Sequence, residues 1–362
     1  MNRIGLNYYS GCLLGGAVGD ALGWPIEFND MDYVIQKYGA NGIQDMVPGE
    51  GNLFEITDDT QMTLFTAEGL LRAWTSSRHF GSTPDFTANV RHSYFSWLKT
   101  QGETDNSSDS KCREGWLIDV EGLHRRRAPG NTCISALKES AYLENGIIAN
   151  TSKGCGGIMR AAPAGLLAAR ISSGDNASTA RLAFEIGCAT AALTHGHPSG
   201  YYPAGVLAAV IATILAGGSI EEGIRVSLSF LNGRVGSMET TEAIQAALDI
   251  WRDQNIVPSP ETIESIGGGW VGEESLAISL YCALVARDDF ARGVRLAVNH
   301  SGDSDSTGSI TGNILGALLG EHSIPHNWLK QLELGDIIMQ VGVDVFTTFE
   351  GSKSWLKKYP PI

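Results

Sequence analysis

Residues 11–20 read Gly-Cys-Leu-Leu-Gly-Gly-Ala-Val-Gly-Asp, and residues 312–320 read Gly-Asn-Ile-Leu-Gly-Ala-Leu-Leu-Gly. In both stretches apolar residues recur three and four positions apart, which is the period of an α-helix. Each glycine weakens a lone helix by up to about 1 kcal/mol, so close packing against neighbours has to compensate. The two stretches therefore predict helices inside a compact bundle.

The same helical period recurs along the chain, whereas the alternation typical of β-strands is almost absent. Asp85, which follows a proline, and Ser219, three residues before Glu222, are residue types that begin helices. The pattern predicts an all-α fold. We expect helices at 9–22, 60–76, 84–99, 132–144, 160–170, 177–193, 202–216, 219–231, 238–253, 273–285, 287–297, 307–320 and 327–333.

The domain organisation is read from linkers and repeats. No stretch of linker composition divides the chain, and no repeat of solenoid period is present, so we expect one domain over residues 1–362. The least regular stretch, 100–130, contains a polar run and the basic triplet at 125–127, and it predicts a surface excursion. We also expect residues 357–362 to form a surface tail.

Composition excludes several classes of protein. The chain has 40 acidic and 26 basic residues and a formal net charge of −14, which argues against nucleic acid or an anionic membrane as the principal partner. No apolar run reaches the roughly 18–20 residues of a membrane span. The first residues lack the pattern of a secretory signal, so we expect a cytoplasmic protein. The six cysteines form no Cys-x-x-Cys pair, which predicts reduced thiols.

Two acidic clusters, far apart in sequence, each precede a helical pattern. The first is Thr57-Asp58-Asp59-Thr60, and the second is Asp303-Ser-Asp305-Ser306. Taken alone, each is typical of a helix cap. An EF-hand reading of the second cluster fails because Ile314 stands where a bidentate Glu is required. A phosphoaspartyl phosphatase would place Asp-x-Asp at the end of an early strand, and no alternating α/β pattern surrounds these residues.

A third reading joins the two clusters. If the two helices meet at their N-termini, four carboxylates converge and repel one another unless cations neutralise them. Two divalent ions at such a site activate water and polarise a substrate oxygen. The hydroxyls of Thr57 and Ser306 add oxygen ligands, and a ligand set without cysteine favours Mg²⁺ or Mn²⁺ over zinc.

With these two clusters in the observed order, the sequence resembles the ADP-ribosylglycohydrolase family, which includes the dinitrogenase-reductase-activating glycohydrolases and the ADP-ribosyl-acceptor hydrolases. The similar motifs follow the family's order along almost the whole chain. They are residues 15–28, the first acidic cluster at 57–60, the glycine-rich segment 153–163, Thr194-His195 with Gly200, and the second acidic cluster at 301–306.

The resemblance implies an orthogonal multi-helix bundle whose cleft holds two Mg²⁺ or Mn²⁺ ions. The metal ligands carried over by position are Thr57, Asp58, Asp59, Asp303, Asp305 and Ser306. Of these, Asp58, Asp59 and Asp303 are also expected to take part in catalysis. Glu27 aligns with an acidic loop residue near the metals and is the fourth catalytic candidate; its alternative is a solvent-exposed residue after a turn.

Further residues are expected to bind the ligand. Gly154, Gly156 and Gly157 let backbone N–H groups approach a diphosphate, and Cys155 stands where the family usually has a polar residue. The residues after Gly157, from Ile158 onward, are expected to begin a helix. By resemblance, His195 contacts the diphosphate or a ribose. Trp270 is interpreted as a stacking partner for a base, and Glu274 as a partner for a cationic acceptor; simple packing and capping are the alternatives.

The resemblance implies an enzyme that removes ADP-ribose from modified protein side chains, most plausibly arginine, by attack of activated water at the anomeric carbon of the distal ribose. An ADP-ribosylated protein would be the substrate and ADP-ribose the product. Serine-linked or O-acetyl-ADP-ribose, ADP-ribosylated nucleic acid, and a non-enzymatic protein of the same fold remain alternatives. Immunity against an ADP-ribosylating toxin is a further hypothesis, and a monomer is expected.

Overall fold

The computed structural model describes residue 3 and residues 5–103, 115–140 and 148–362. Within these ranges the chain is helical and contains isolated bridges but no β-strand, so the predicted all-α class is confirmed. The helices are α1 (Leu6–Gly23), α2 (Met31–Tyr38), α3 (Asp58–Phe80), α4 (Phe86–Thr100), α5 (Asn131–Ser140), α6 (Ala162–Ile171), α7 (Asn176–Ala191), α8 (Pro198–Leu215), α9 (Ile220–Leu231), α10 (Met238–Arg252), α11 (Pro260–Ile266), α12 (Gly272–Ala286), α13 (Phe290–Val298), α14 (Ser304–Leu319), α15 (His326–Leu329), α16 (Gly335–Thr347) and α17 (Lys353–Lys358).

Helices α1 and α14 pack against each other along a seam of glycines. A Cβ atom at Gly19 would lie 2.0 Å from the carbonyl oxygen of Gly308, and one at Gly312 would lie 2.0 Å from that of Gly15. The pairs recur every four residues in opposite directions, so the helices are antiparallel and their backbones touch. The seam therefore brings the end of α1 to the beginning of α14.

The remaining helices surround this pair. Helices α12, α13 and α16 pack on it, and α8 is buried between α6, α7, α9 and α12. By length and composition alone α8 is apolar enough to cross a membrane, but 89% of the relevant window is buried inside the protein. Because α8 fills the interior of the bundle, its continuous hydrophobicity has a structural explanation within the fold.

Most of the predicted helices are present, with boundaries displaced by a few residues. Asp85 and Ser219 accept the N–H groups of Ala88 and Glu222 and begin their helices as expected. Four short or late helices were not predicted, namely α2, α11, α16 and α17. The predicted helix 132–144 begins at Asn131, and its part beyond Ser140 lies in residues 141–147, outside the described residues.

One expectation about the surface stays a prediction and another is wrong. Residues 104–114 of the predicted excursion lie outside the described residues; within 115–130 Arg127 is buried at 9% exposure, whereas Asp119, Glu121, His124 and Arg126 are exposed. The C-terminal residues are not a surface tail. Tyr359 is fully buried and donates a hydrogen bond to Asp344, and the carbonyl of Pro360 accepts from Arg72. Tyr359 and Pro360 are buried, and burial of their apolar atoms outweighs the charge of the preceding lysines, whereas Ile362 is 44% exposed.

Candidate functional site

The first turns of α3 and α14 meet at the floor of a pocket of about 340 Å³, within the size range of small-molecule sites. The two predicted acidic clusters, 245 residues apart in sequence, thus lie in one place. The pocket is lined by Glu27, Phe28, Asp58, Asp59, Ala128, Pro129, Gly130, Asn131, Thr132, Cys133, Gly154, Cys155, Gly156, Met159, His195, Trp270, Asp303, Asp305 and Ser306.

Five carboxyl groups converge on the floor of the pocket, and we call them the acidic cluster: Glu27, Asp58, Asp59, Asp303 and Asp305. Oxygen atoms of Glu27, Asp303 and Asp305 lie within 4.8 Å of one another. All five residues are buried. The short loop after α1 supplies Glu27, so the glycine seam between α1 and α14 is what carries this side chain to the two helix starts.

A buried aspartate in α1 holds the start of α3 in position. The carboxylate of Asp20 accepts the N–H groups of Thr57 and Thr60 at 3.0 and 3.2 Å, and the Thr60 hydroxyl at 2.5 Å. Sequence reasoning assigned no role to Asp20. The available signal was a charged residue inside an otherwise apolar and glycine-rich helix, because a buried charge requires partners.

The segment before α3 is fixed by a buried ion pair between Arg127 and Glu333. Glu333 also accepts the N–H of Ile56, and Arg127 donates to the Ile56 carbonyl. Thr57 follows directly, and its hydroxyl accepts the N–H of Asp59 at 3.3 Å. Thr57 is fully buried and caps α3; its hydroxyl also interacts with Asp305.

Burial and mutual repulsion disfavour negative charge in the acidic cluster. Burial, followed by the charge of Asp305, raises the pKa of Glu27 to about 11 and that of Asp20 to about 7. For Asp59, burial and then Asp305 raise the pKa well above its usual range. Burial is also the main cause of raised pKa values at Asp58, Asp303 and Asp305. Without cations, the cluster is therefore held in the folded protein at a free-energy cost.

The donor set fits divalent cations. Glu27 Oε2 and Asp59 Oδ2 are buried oxygens without a hydrogen-bond partner among the described residues. The Ser306 hydroxyl lies 3.3 Å from Asp59 Oδ1 and adds a neutral oxygen. Carboxylates and hydroxyls of this kind are hard ligands that suit Mg²⁺ or Mn²⁺. The unpartnered oxygens and the crowding of like charge both support cation binding here.

Cys155 lies between the glycine-rich loop and the acidic cluster. Its thiol donates to Asp303 Oδ2 at 2.8 Å and lies 3.7 Å from the Ser306 hydroxyl oxygen. Burial, then the Asp303 charge, raises the pKa of this thiol well above its usual range. Cys155 is thus placed in the pocket as expected, as a neutral thiol that donates a hydrogen bond.

The glycine-rich loop forms the opposite wall of the pocket. A Cβ atom on Gly156 would lie 2.9 Å from Cys133 Sγ and 3.0 Å from the His195 ring, and one on Gly157 would lie 2.5 Å from the Gly200 carbonyl. The expected helix does not begin at Ile158. It begins at Ala162, because Pro163 lacks an N–H and fits only the first turn of a helix.

His195 lies against this loop, just beyond the end of α7. A Cβ atom on Gly154 would lie 3.2 Å from His195 Nε2, so the glycine leaves room for the ring. Burial, then the nearby Arg160, lowers the pKa of His195 to about 3. The imidazole is therefore neutral at ordinary pH, and it enters the pocket as a hydrogen-bonding group.

Two aromatic rings stand at the mouth of the pocket. Trp270 is 43% exposed, and its ring stacks on that of Phe28 at 5.6 Å with an angle of 22°. Sequence reasoning selected Trp270 but missed Phe28, which is 68% exposed and has a left-handed backbone at φ 59°. An aromatic residue directly after an acidic site residue was the available signal.

Glu274 is not brought together with the other predicted site residues. Its carboxylate accepts the N–H groups of Gly268 and Gly269 at 3.1 and 3.2 Å, and it does not line the pocket. These two hydrogen bonds stabilise the glycine-rich turn that carries Trp270. Sequence reasoning also missed the wall formed by residues 128–133, where the N–H of Gly130 donates to Asp58 Oδ2 at 3.0 Å.

Comparison with known proteins agrees with this geometry. The family model described as ADP-ribosylglycohydrolase matches residues 5–354. The ADP-ribosylarginine hydrolase Tri1 of Serratia proteamaculans is 27% identical over 94% of this chain and 79% of its own length. The ADP-ribosyl-dinitrogen reductase glycohydrolase of Rhodospirillum rubrum is 24% identical over 90% of each chain.

A solved structure has a similar fold. Its title is "ADP-ribosylglycohydrolase-related protein complex", and it superposes with a TM-score of 0.65 over 95% of this chain and 98% of its own. The sequence identity is 23%, so this likeness bears on the fold.

Proposed function

The chain belongs to the ADP-ribosylglycohydrolase family and is a hydrolase of glycosidic bonds, and we propose that it removes ADP-ribose from ADP-ribosylated arginine side chains of proteins. One observation carries the proposal: a single pocket has an acidic cluster at its floor and a glycine-rich loop with a neutral histidine on its wall. These two surfaces complement the two chemically different parts of ADP-ribose, its sugar hydroxyls and its diphosphate.

The acidic cluster would hold two Mg²⁺ or Mn²⁺ ions through Thr57, Asp58, Asp59, Asp303, Asp305 and Ser306. When bound, such ions supply positive charge and Lewis acidity to sugar hydroxyls and to water. The number of ions is proposed from the number of carboxylates, since two divalent cations balance four aspartates. In this proposal the distal ribose would lie at the floor of the pocket, next to the ions.

The glycine-rich loop and His195 would bind the diphosphate. Gly154 and Gly156 allow close approach of the ligand, and the neutral imidazole offers an N–H without the desolvation cost of a buried cation. The aromatic faces of Trp270 and Phe28 at the mouth are suited to stack on the adenine. In this arrangement the ligand spans the pocket from floor to mouth.

The chain's own carboxylates would transfer the protons during hydrolysis. The water oxygen bonds to the anomeric carbon while the carbon–nitrogen bond breaks, and the guanidine leaves with the bonding electron pair and a proton. Bound cations would lower the raised pKa values of Glu27 and Asp59, and Glu27 Oε2 and Asp59 Oδ2, which lack protein partners among the described residues, would then accept the proton from water. The next residue, Phe28, stands at the mouth, where the acceptor would enter.

Arginine is proposed as the acceptor because a relative that aligns over 94% of this chain is named for ADP-ribosylarginine. The acidic cluster is also favourable for a positively charged guanidine. Serine-linked ADP-ribose and O-acetyl-ADP-ribose are alternative substrates, and the experiment below separates them.

The test is to incubate the full-length protein with arginine-ADP-ribosylated and serine-ADP-ribosylated proteins, with Mg²⁺, with Mn²⁺ or with EDTA. We expect release of ADP-ribose from the arginine-linked substrate only, loss of release in EDTA, and loss in Asp303→Ala. Asp288→Ala, which removes an exposed aspartate that does not line the pocket, is the matched control. Release from neither substrate, or release unchanged by EDTA and by Asp303→Ala, would overturn the proposal.

A secondary proposal is neutralisation of an ADP-ribosylating toxin in the cytoplasm by a monomeric enzyme. It predicts that co-expression protects cells from such a toxin and that Asp303→Ala abolishes protection. Protection that survives the substitution would instead indicate a non-enzymatic, occluding role.

A further inference from the structure

The loop 154–157 and His195 form one wall of the pocket, which we call the donor wall. A buried arginine lies behind this wall and is not used by the mechanism above. Arg160 is 1% exposed, and among the described residues it forms no ion pair with a carboxylate. Its guanidinium stacks on the ring of Tyr94 at 4.3 Å and donates towards the sulfur atoms of Met62 and Cys133. A buried cation with such weak partners requires an explanation, because burial of a charge is costly.

The best polar partner of Arg160 is a threonine that leads to the pocket. Arg160 Nη2 donates to the hydroxyl oxygen of Thr194 at 2.5 Å, and that oxygen lies 2.8 Å from His195 Nδ1. Two weaker acceptors lie near the hydroxyl: the carbonyl of Ala191, which is 3.4 Å away, and the sulfur of Cys133. The three side chains therefore form a row, connected by hydrogen bonds, from the buried guanidinium to the pocket.

Distances and charge determine the direction of these hydrogen bonds. An arginine only donates, so Thr194 accepts from it and directs its own proton to the nearer acceptor, His195 Nδ1. The positive charge of Arg160 also favours the imidazole orientation that turns the unprotonated nitrogen towards it. A neutral imidazole carries one proton, which then resides on Nε2. This atom faces Gly154 and Gly156, and no described protein group accepts from it.

We propose that Arg160 and Thr194 are positioning residues that hold His195 as the tautomer protonated on Nε2, with this N–H directed at the diphosphate of the bound ligand. The identity of the anion rests on the proposed function, whereas the tautomer itself does not. The arrangement gives the donor wall a fixed hydrogen-bond donor and keeps the positive charge of Arg160 behind it.

The test is nuclear magnetic resonance of full-length, metal-free protein labelled with ¹⁵N at histidine, recorded without ligand. The signal of His195 is assigned from its loss in His195→Gln. The variants are Thr194→Val, which removes the hydroxyl at nearly constant shape, and Thr194→Ser, which keeps it. Thr190→Val is the matched control, because Thr190 is a buried threonine one turn earlier that bonds only backbone carbonyls of its own helix among the described residues.

We expect wild type, Thr194→Ser and Thr190→Val to have a protonated Nε2 and an unprotonated Nδ1 at His195. Thr194→Val should give a mixture of tautomers and weaken ADP-ribose binding by about 3- to 10-fold, as for the loss of one neutral hydrogen bond. A protonated Nδ1 in the wild type, or an unchanged tautomer in Thr194→Val, overturns the inference. If the tautomers behave as expected but ADP-ribose does not bind the wild type, the inference about the tautomer holds and the proposed function is contradicted.

Discussion

On one side of the pocket the acidic cluster crowds five carboxyl groups, whereas on the other side the donor wall, formed by the loop Gly154–Gly157 and His195, presents neutral groups. Burial and repulsion raise the pKa values of the acidic cluster, and burial lowers that of His195. The acidic cluster raises the free energy of the folded protein until cations bind to it. The donor wall has no comparable crowding of like charge, and it presents hydrogen-bond donors to the pocket.

The difference indicates separate roles for the two sides. A substitution in the acidic cluster should affect cation binding and the chemical step together, because those carboxylates hold the cations. A substitution in the donor wall should affect ligand affinity and leave cation binding unchanged. Three predictions test this separation, and they are ordered from the largest expected effect to the smallest.

Asp59→Asn should lower the rate of ADP-ribose release by about a thousandfold or more, because it removes a cation ligand and one candidate acceptor of the proton from water. Cation affinity, measured by isothermal titration calorimetry, should fall in parallel. Asp288→Asn serves as the control and should change neither quantity. A variant that loses activity but binds cations normally would mean that Asp59 acts on protons alone.

His195→Gln should weaken ADP-ribose binding by about 10-fold or more, because a hydrogen bond to a charged phosphate is worth about 1.5–3 kcal/mol. Cation affinity should remain that of the wild type. Calorimetric titrations with ADP-ribose and with Mn²⁺ on the same variant measure both quantities. Loss of Mn²⁺ binding in this variant would break the proposed separation of the two sides.

The metal-free protein should become less stable as the pH rises from 7 to 8. Burial raises the pKa of Asp20 to about 7 and that of Glu27 to about 11, so the folded state binds protons that the unfolded chain has released. His195 contributes little in this window: burial lowers its pKa to about 3 in the folded protein, and an unfolded histidine is also largely neutral above pH 7. We expect a loss of roughly 1 kcal/mol or more per pH unit.

The measurement for this third prediction is urea unfolding in EDTA at several pH values, repeated with saturating Mg²⁺. Bound cations neutralise the carboxylates, so the pH dependence should become shallower. A stability that is flat or that rises with pH in EDTA would show that the acidic cluster is not protonated in the metal-free protein.

The fold class could be predicted because helical periodicity is a local property, and the starts of α4 and α9 were found from their capping residues. The site was predicted where its residues cluster in sequence, as at 57–60 and 303–306. Short helices such as α2, with few periodic positions, were missed. The burial of Tyr359 was also missed, since lysines at 357 and 358 favour solvent and only tertiary contacts, such as the hydrogen bond of Tyr359 to Asp344 in α16, outweigh them.

Residues that act through distant contacts could not be predicted in the same way. Glu274 has the residue type for a cationic acceptor, yet its carboxylate is used by two backbone N–H groups of a nearby turn. Asp20 and Arg127 support the start of α3 through bonds to residues 37 and 71 positions away in sequence, and no local pattern records such contacts.

The sequence by itself determined the helices, the glycines that permit close approach, and the two groups of acidic residues at helix starts, because each depends on neighbours along the chain. Only the tertiary structure decided that α1 and α14 pack antiparallel along their glycines and so bring Glu27 to both acidic groups. It also decided the row from Arg160 through Thr194 to His195. The first outcome depends on which helix backbones can touch without a Cβ between them, and the second on which side chains meet in the interior. Both are properties of the packed bundle.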